Sequence, residues 1–217
     1  MTETEGVIKY KLDHHNIAIG KTISIAEINA WRTLLYKLKL IGQIKERYDG
    51  YGFGNISQRV NQPAPHATQF IISGTQTGGI ETLSQQHYCQ VMKADPLKNT
   101  ISSVGSIKPS SEALTHASVF QQDSSIQAVV HIHSPEIWKH TQRLQIAHTQ
   151  ANIAYGTPEM AIAVKKLMQT SQLKSEKIFT MLGHKDGVIA FADNLEKATL
   201  LLVKYYTKAI KIEQGIE

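Results

Sequence analysis

The chain has 217 residues, 41% of them hydrophobic and 19% charged, a composition typical of a soluble globular protein with room for one sizeable core. The net charge is +5 and the pI about 9.2, but the lysines are scattered, so the charge gives no reason to expect a nucleic-acid-binding protein. The single cysteine excludes an internal disulfide framework, no apolar run is long enough to span a membrane, and the acidic first residues do not resemble a signal peptide, so we expect a cytoplasmic protein.

Hydrophobic periodicity in the first half of the chain predicts one helix and several short strands. An alternating segment at residues 7–12 predicts an edge strand. Apolar residues at three- and four-residue intervals predict an amphipathic helix over residues 25–47. Strands are expected at residues 56–60 and 69–73, followed by a polar, glycine-rich loop at residues 74–79.

The second half alternates between strand and helix patterns, without internal repeats or low-complexity linkers. Thr157 and Pro158 favour a helix start, because a threonine hydroxyl caps free amides and proline lacks an amide hydrogen. The alternation indicates a single α/β domain, and the many short early strands argue against a purely parallel, doubly wound sheet. Strands are predicted at residues 88–93, 100–104, 126–131, 177–182 and 188–192, and helices at residues 110–121, 135–142, 158–168 and 194–213.

Two alternating histidines end the apolar segment Ala-Val-Val-His-Ile-His-Ser of residues 128–134. Side chains two residues apart in a strand point to the same face, so His131 and His133 project together at a spacing that suits one metal ion. With His184 and Glu112 elsewhere in the chain, three histidines and a carboxylate could form an open zinc site of the catalytic kind. Each histidine also has a simpler interpretation, as a packed or exposed strand residue or as a polar residue of a turn.

Ser110, Ser111 and Glu112 begin a predicted helix and have two interpretations. Serines cap helices and an acidic residue in the first turn complements the helix dipole. The same helix start, with two hydroxyl groups, can also bind a phosphate or a carboxylate, and Glu112 could then act as a general base beside the metal. His116 shares the helix face with Glu112 and is expected to pack or to donate a hydrogen bond rather than to bind the metal, while Cys89 is expected to be buried.

The chain contains six short motifs that matter together because of their order: Gly54-Asn-Ile-Ser57, Ile72-Ser-Gly74, Lys108-Pro-Ser-Ser-Glu112, His131-Ile-His-Ser134, Gly156-Thr-Pro-Glu159 and Gly183-His-Lys-Asp-Gly187. In this order they resemble the class II aldolase/adducin family, and the resemblance runs from about residue 31 to the terminal helix. That family contains the zinc-dependent fuculose- and rhamnulose-phosphate aldolases and ribulose-phosphate 4-epimerase. The resemblance implies an N-terminal extension at residues 1–24 and a domain at residues 25–217, with a central, mainly antiparallel β-sheet flanked by helices in three α/β/α layers. It also implies a homotetramer.

The resemblance further implies a role for individual residues. His131, His133 and His184 would bind zinc, or another divalent metal such as manganese or cobalt, and Glu112 would move the proton. The implied reaction is retro-aldol cleavage of a small sugar phosphate, a phosphorylated ketose, through an enediolate. The residues that match phosphate-binding positions of the family are Gly54, Asn55, Ser73, Gly74, Ser110 and Ser111.

The tyrosines depart from the aldolase pattern. The aldolases use a tyrosine from an adjacent subunit, but the matching segment here, residues 138–154, has none, so the second acid or base is not assigned. Alternatives to aldol cleavage are epimerisation, dehydration or decarboxylation on the same scaffold, a non-catalytic adducin-like binding module, and a metal site for a non-phosphorylated hydroxy acid. The tyrosines interpreted as packing residues are Tyr155, Tyr205 and Tyr206.

Overall fold

The computed structural model describes residues 6–60 and 68–215, so the first five residues of the expected N-terminal extension lie outside the described part. The helices in these ranges are α1 Ala26–Lys37, α2 Ala113–Phe120, α3 Pro135–Lys139, α4 Pro158–Met168, α5 Ser171–Glu176 and α6 Leu195–Glu213. The strands are β1 Lys11–His15, β2 Gly42–Gln43, β3 Gly52–Phe53, β4 Asn55–Arg59, β5 Phe70–Ser73, β6 Tyr88–Asp95, β7 Thr100–Gly105, β8 Ala128–His133, β9 Ala147–Thr149, β10 Ile178–Met181 and β11 Gly187–Ala192.

One large sheet runs through the described residues, with its nine strands in the order β1-β7-β6-β5-β4-β8-β11-β10-β9. The outermost pairings, β1 with β7 and β10 with β9, are parallel, and the pairings between them are antiparallel. The predicted mainly antiparallel sheet is therefore confirmed. Strand β8 lies inside the sheet between β4 and β11, and all six of its residues are buried.

Apolar side chains cover both faces of the sheet and produce the predicted three layers. Helices α1, α3 and α6 contribute Leu35, Ile137 and Leu202 to one core, which includes Val130 of β8. Helices α2, α4 and α5 pack in a second core, which includes Val129. Neighbouring residues of β8 thus alternate between the two cores, as side chains of a strand must.

Helix α1 is shorter than predicted. It ends at Lys37 rather than near residue 47, and Lys39 has a φ of 58°, a left-handed conformation that stops an α-helix. Leu40 and Ile41 are buried beyond this turn. They continue the apolar pattern after the helix has ended, which explains why the periodicity overestimates its length.

The edge strand predicted at residues 7–12 forms a few residues later, as β1, where it pairs with β7. The sequence does not predict β2, β3, β9 or α5, which are two to six residues long and too short for a periodic signal. Among the described helices, none is long and apolar enough to cross a membrane.

Candidate active site

Strand β8 places two histidines side by side in the interior. Val130 and Ile132 point to the core that contains α6, so His131 and His133 point to the opposite face, where α2 packs. Both imidazoles are fully buried, and their Nε2 atoms are 3.1 Å apart. The same-face arrangement that the sequence predicts is therefore present in the fold.

A tight turn between β10 and β11 brings His184 to this pair. The turn is closed by backbone hydrogen bonds from the amide of His184 to the carbonyl of Met181 and from the amide of Gly187 to the carbonyl of His184. Gly187 pairs with His133 across the two antiparallel strands, which fixes where the turn emerges. A side chain at Gly183 would overlap the carbonyl group of Ile153, so glycine is required directly before the third histidine.

The three histidines together suit a divalent metal ion. Their ligand atoms all lie within 4.8 Å of one another, and tetrahedral zinc with nitrogen ligands needs them about 3.3 Å apart. Nδ1 of His131 lies 3.3 Å from the carbonyl oxygen of Val188, a contact that assigns the proton to Nδ1 and leaves the Nε2 lone pair free for a metal. Burial lowers the pKa of both His131 and His133, which keeps them neutral, as metal ligands must be.

Glu112 lies beside the histidines at the start of α2. Its side chain is 1% exposed, and Oε1 lies 3.6 Å from Nδ1 of His184. The amide of Glu112 donates a hydrogen bond to Oγ of Ser110, and the hydroxyl of Tyr10 donates to the carbonyl of Ser110 at 2.8 Å. These bonds hold the carboxylate where it can exchange protons with a molecule bound at the histidines.

His116 lies one turn further along α2 and is fully buried, as the sequence predicts for a packed residue. Its Nδ1 is 2.6 Å from Oγ of Ser57 on β4, and burial lowers its pKa to about 3. The ring is therefore neutral, and it ties the helix that carries Glu112 to the strand next to β8.

Five of the six residues proposed for phosphate binding line one small polar cavity of about 20 Å³: Gly54, Asn55, Gly74, Ser110 and Ser111. The sixth, Ser73, uses its hydroxyl to accept a hydrogen bond from the amide of Ile56 at 3.2 Å. A cavity of this volume holds about one water molecule. Gly6 and Gln76 also line it, so the N-terminal segment adjoins the predicted anion pocket.

Arg32 is a residue that the sequence does not single out. It is 1% exposed, and its guanidinium group donates hydrogen bonds to the backbone carbonyls of Thr77, Gly78, Ile80 and Glu81. Because Arg32 lies on α1, these bonds fix the glycine-rich loop that borders the small polar cavity. An arginine within an amphipathic helix pattern gives no signal of burial by itself.

Tyr155 packs as predicted, and its position links the N-terminal segment to the three histidines. Its ring stacks on His184 with centroids 4.4 Å apart. Its hydroxyl accepts a hydrogen bond from the amide of Val7 at 3.2 Å, and Nζ of Lys9 lies 3.7 Å from the ring centroid. Tyr205 is buried and Tyr206 packs against the same core, so the packing interpretation holds for them as well.

Three further side chains that the sequence does not indicate, those of Arg47, Tyr48 and Asp186, join the segment before β3 to the turn that contains His184. Nη2 of Arg47 donates to the hydroxyl of Tyr48 at 2.6 Å, and that hydroxyl donates to Oδ2 of Asp186 at 2.6 Å. Tyr48 and Asp186 are 138 positions apart in the chain, so no local pattern could have indicated the pair. Burial raises the pKa of Tyr48, which is therefore protonated at neutral pH.

The chain is also similar to known proteins. A family model for the Class II Aldolase and Adducin N-terminal domain matches residues 41–210. No curated protein matches the chain in sequence.

Solved structures share the fold. A sugar-phosphate aldolase from Thermotoga maritima is 15% identical with a TM-score of 0.65, covering 89% of this chain and 96% of that chain. An L-fuculose-1-phosphate aldolase from Thermus thermophilus is 16% identical with a TM-score of 0.60, covering 88% and 92%. YgbL from Escherichia coli, described as a candidate aldolase/epimerase/decarboxylase, is 15% identical with a TM-score of 0.61, covering 86% of each chain. At these identities the likeness is one of fold.

Proposed function

Because this chain belongs to the class II aldolase and adducin family, we propose that it is a divalent-metal-dependent lyase that cleaves a small phosphorylated ketose by a retro-aldol reaction. The observation that carries the proposal is the buried triad of His131, His133 and His184, with the carboxylate of Glu112 3.6 Å from the third histidine. Zinc is the proposed ion because three neutral imidazoles suit a borderline metal.

The three histidines would hold the metal, which would act as a Lewis acid that stabilises negative charge on substrate oxygen atoms. In retro-aldol cleavage, the hydroxyl group on the carbon that becomes the aldehyde loses its proton. The carbon–carbon bond then breaks, its electron pair stays on the ketone fragment, and that fragment takes up a proton at carbon. Glu112 is the proposed donor of this proton, since its buried carboxyl group lies beside the histidines.

The phosphate group of the substrate is proposed to bind where the two serines at the start of α2 face the glycine-rich loop, and the small polar cavity there must widen to admit it. Ser110, Ser111 and Asn55 offer hydroxyl and amide groups, and the start of a helix favours an anion. Ser73 is proposed to support this pocket by fixing the backbone of β4 through its bond to Ile56. Gly54 and Gly74 line the same cavity and complete the proposed phosphate-binding set, with the amide of Gly74 itself donating to the carbonyl of His87.

Epimerisation or decarboxylation is the second candidate, supported by the fold shared with the aldolase/epimerase/decarboxylase candidate YgbL. These reactions can use the same metal and carboxylate, so product analysis must separate them. A homotetramer and a cytoplasmic location are also proposed from the family, and light scattering of the purified protein would test the first. An adducin-like binding module without catalysis is less well supported, because the three histidines and Glu112 are all present.

Elemental analysis of the purified protein beside His133→Ala and His148→Ala variants tests the metal site. We expect about one zinc per chain in the wild type and in the His148→Ala control, since His148 lies outside the triad, and a loss of zinc in His133→Ala. Assays with phosphorylated and free ketoses, with Glu112→Gln as the inactive variant, then test the reaction. Absence of metal after reconstitution with zinc would overturn the proposal, and preference for free compounds would overturn the phosphate pocket.

A further inference from the structure

A cavity of about 520 Å³ opens next to the third histidine. The residues that line it include His184, Tyr155, Tyr48 and Trp138. It is large enough for several substrate atoms, whereas the small polar cavity holds about one water molecule. A substrate held at the histidines can therefore extend into this space.

Tyr48 and Glu112 contact different histidines. The ring of Tyr48 lies edge-on to His133, with centroids 4.7 Å apart, whereas the carboxylate of Glu112 lies against His184. Two side chains that can carry a proton thus lie beside different histidines of the triad. A carbon–carbon cleavage needs two proton-transfer groups, one at the oxygen of the new aldehyde and one at carbon.

The hydroxyl of Tyr48 is also prepared for proton transfer by its neighbours. It lies between the guanidinium of Arg47 and the carboxylate of Asp186, each 2.6 Å away. Arg47 donates to the phenol oxygen and the phenol donates to Asp186, so a direct hydrogen bond leads from the phenol to a carboxylate. Tyr155, the other tyrosine of the cavity, has its hydroxyl bonded to the amide of Val7 and its ring stacked on His184.

The backbone has an uncommon conformation at both ends of the hydrogen bond between Tyr48 and Asp186. Tyr48, Asp49 and Asp186 have φ values of 50°, 55° and 62°, in the left-handed region that bulky residues rarely adopt. Such conformations persist only where the surrounding structure enforces them. The hydrogen bond from Tyr48 to Asp186 joins two of these residues, and Asp186 lies two residues after His184.

We propose that Tyr48 is the second proton-transfer residue of the lyase, acting with Asp186, an inference that rests on the function proposed above. In cleavage, the substrate hydroxyl passes its proton to Oη of Tyr48 while the phenol proton moves to Oδ2 of Asp186. The aldehyde C=O forms, the carbon–carbon bond breaks, and Glu112 protonates the carbon that keeps the electron pair. Tyr48 thereby takes the role for which the segment 138–154 offers no tyrosine.

Two assays separate this role from a structural one. Exchange of the carbon-bound protons of dihydroxyacetone phosphate in D₂O, followed by NMR, requires only Glu112 and the metal. Cleavage of L-fuculose 1-phosphate, within a panel of ketose phosphates, requires the second group as well. The variants are Tyr48→Phe and Asp186→Asn, and Tyr51→Phe is the control because Tyr51 is an exposed tyrosine of the same segment.

We expect Tyr48→Phe to lower kcat for cleavage about 100- to 1,000-fold, while exchange and zinc content stay within about twofold of wild type. Asp186→Asn should lower cleavage in the same selective way, and Tyr51→Phe should match the wild type. Unchanged cleavage in Tyr48→Phe, or a parallel loss of exchange or zinc, would overturn the inference. A zinc-loaded wild type that neither exchanges nor cleaves any ketose phosphate would instead overturn the proposed lyase function, and this inference with it.

Discussion

Replacement of Arg32 by methionine should destabilise the protein, although the hydrogen bonds of Arg32 go neither to the histidines nor to Glu112. The guanidinium group donates to four backbone carbonyls, those of Thr77 and Gly78 in the glycine-rich loop and those of Ile80 and Glu81 directly after it, while the side chain is 1% exposed. Methionine keeps most of the apolar stem and removes every donor, so the variant isolates the hydrogen bonds.

The magnitude follows from which carbonyls water can reach. Ile80 and Glu81 are exposed, so their carbonyls can bind water after the substitution, whereas Thr77 and Gly78 are buried. The carbonyl of Thr77 also accepts a hydrogen bond from the amide of Ile80, so it keeps a donor in the variant. The buried carbonyl of Gly78 loses its donor, which gives a loss of about 1–3 kcal/mol in the free energy of unfolding. That is a sizeable fraction of the roughly 5–15 kcal/mol that stabilises an ordinary domain.

Urea denaturation of Arg32→Met beside Lys37→Met measures this loss. Lys37 lies on the same helix and its Nζ is 3.8 Å from the carboxylate of Glu81, but its side chain is 64% exposed, so its loss should cost no more than about 0.5 kcal/mol. Because the loop borders the small polar cavity, Arg32→Met should also raise KM for a phosphorylated substrate more than it lowers kcat. Equal free energies of unfolding for the two variants would show that the hydrogen bonds of Arg32 do not stabilise the protein.

Three further predictions follow from the site. The pKa of His116 is lowered to about 3, so as the pH falls the unfolded chain binds a proton at this histidine before the folded protein does. The stabilisation from neutral His116 is therefore complete above pH 6.5 and is lost as the pH falls towards 3. Between pH 7 and 5, urea titrations should show that the free energy of unfolding falls by about 2 kcal/mol more in the wild type than in His116→Gln. Gly183→Ala should lower the zinc content and should lower the free energy of unfolding by more than about 2 kcal/mol, which metal analysis and thermal unfolding would measure. The control Gly20→Ala, in which the nearest atom to the new Cβ would be 3.8 Å away, should stay within about 0.5 kcal/mol of the wild type. Tyr155→Phe should speed amide hydrogen exchange at Val7 without loss of zinc, and Tyr155→Ala should lose zinc as well; slow exchange in the Phe variant would contradict the role of the hydroxyl.

Much of the fold is encoded in local patterns. Alternation along β8 predicts that His131 and His133 share a face, and the structure has them there. Thr157 and Pro158 predict the start of α4, where the threonine hydroxyl accepts a hydrogen bond from an amide of the first turn. These signals succeed because they depend on neighbours within a few residues. The overlong prediction for α1 shows the limit, since Leu40 and Ile41 keep the apolar pattern in a segment that is no longer helical.

The assignment of His184 and Glu112 to the same centre depended on the order of motifs along the chain, not on periodicity. The structure brings them together because β11 pairs with β8 and its preceding turn emerges beside His133. Ser73 matches a phosphate-binding motif, and its hydroxyl accepts a hydrogen bond from the amide of Ile56, which leaves the hydroxyl proton to be donated to an anion. Its role in phosphate binding stays a prediction.

Spacing along the chain was enough to predict the longer strands and helices, the faces of the strands and the chemical identity of the candidate ligands. The burial of Arg32 among carbonyls of a distant loop, and the hydrogen bond from Tyr48 to Asp186, 138 positions away, appear only in the folded protein. Such contacts form when strands pair and helices pack over long separations. Which residues make such contacts depends on burial and on the need of buried polar groups for hydrogen-bond partners, and neither produces a periodic pattern in the sequence.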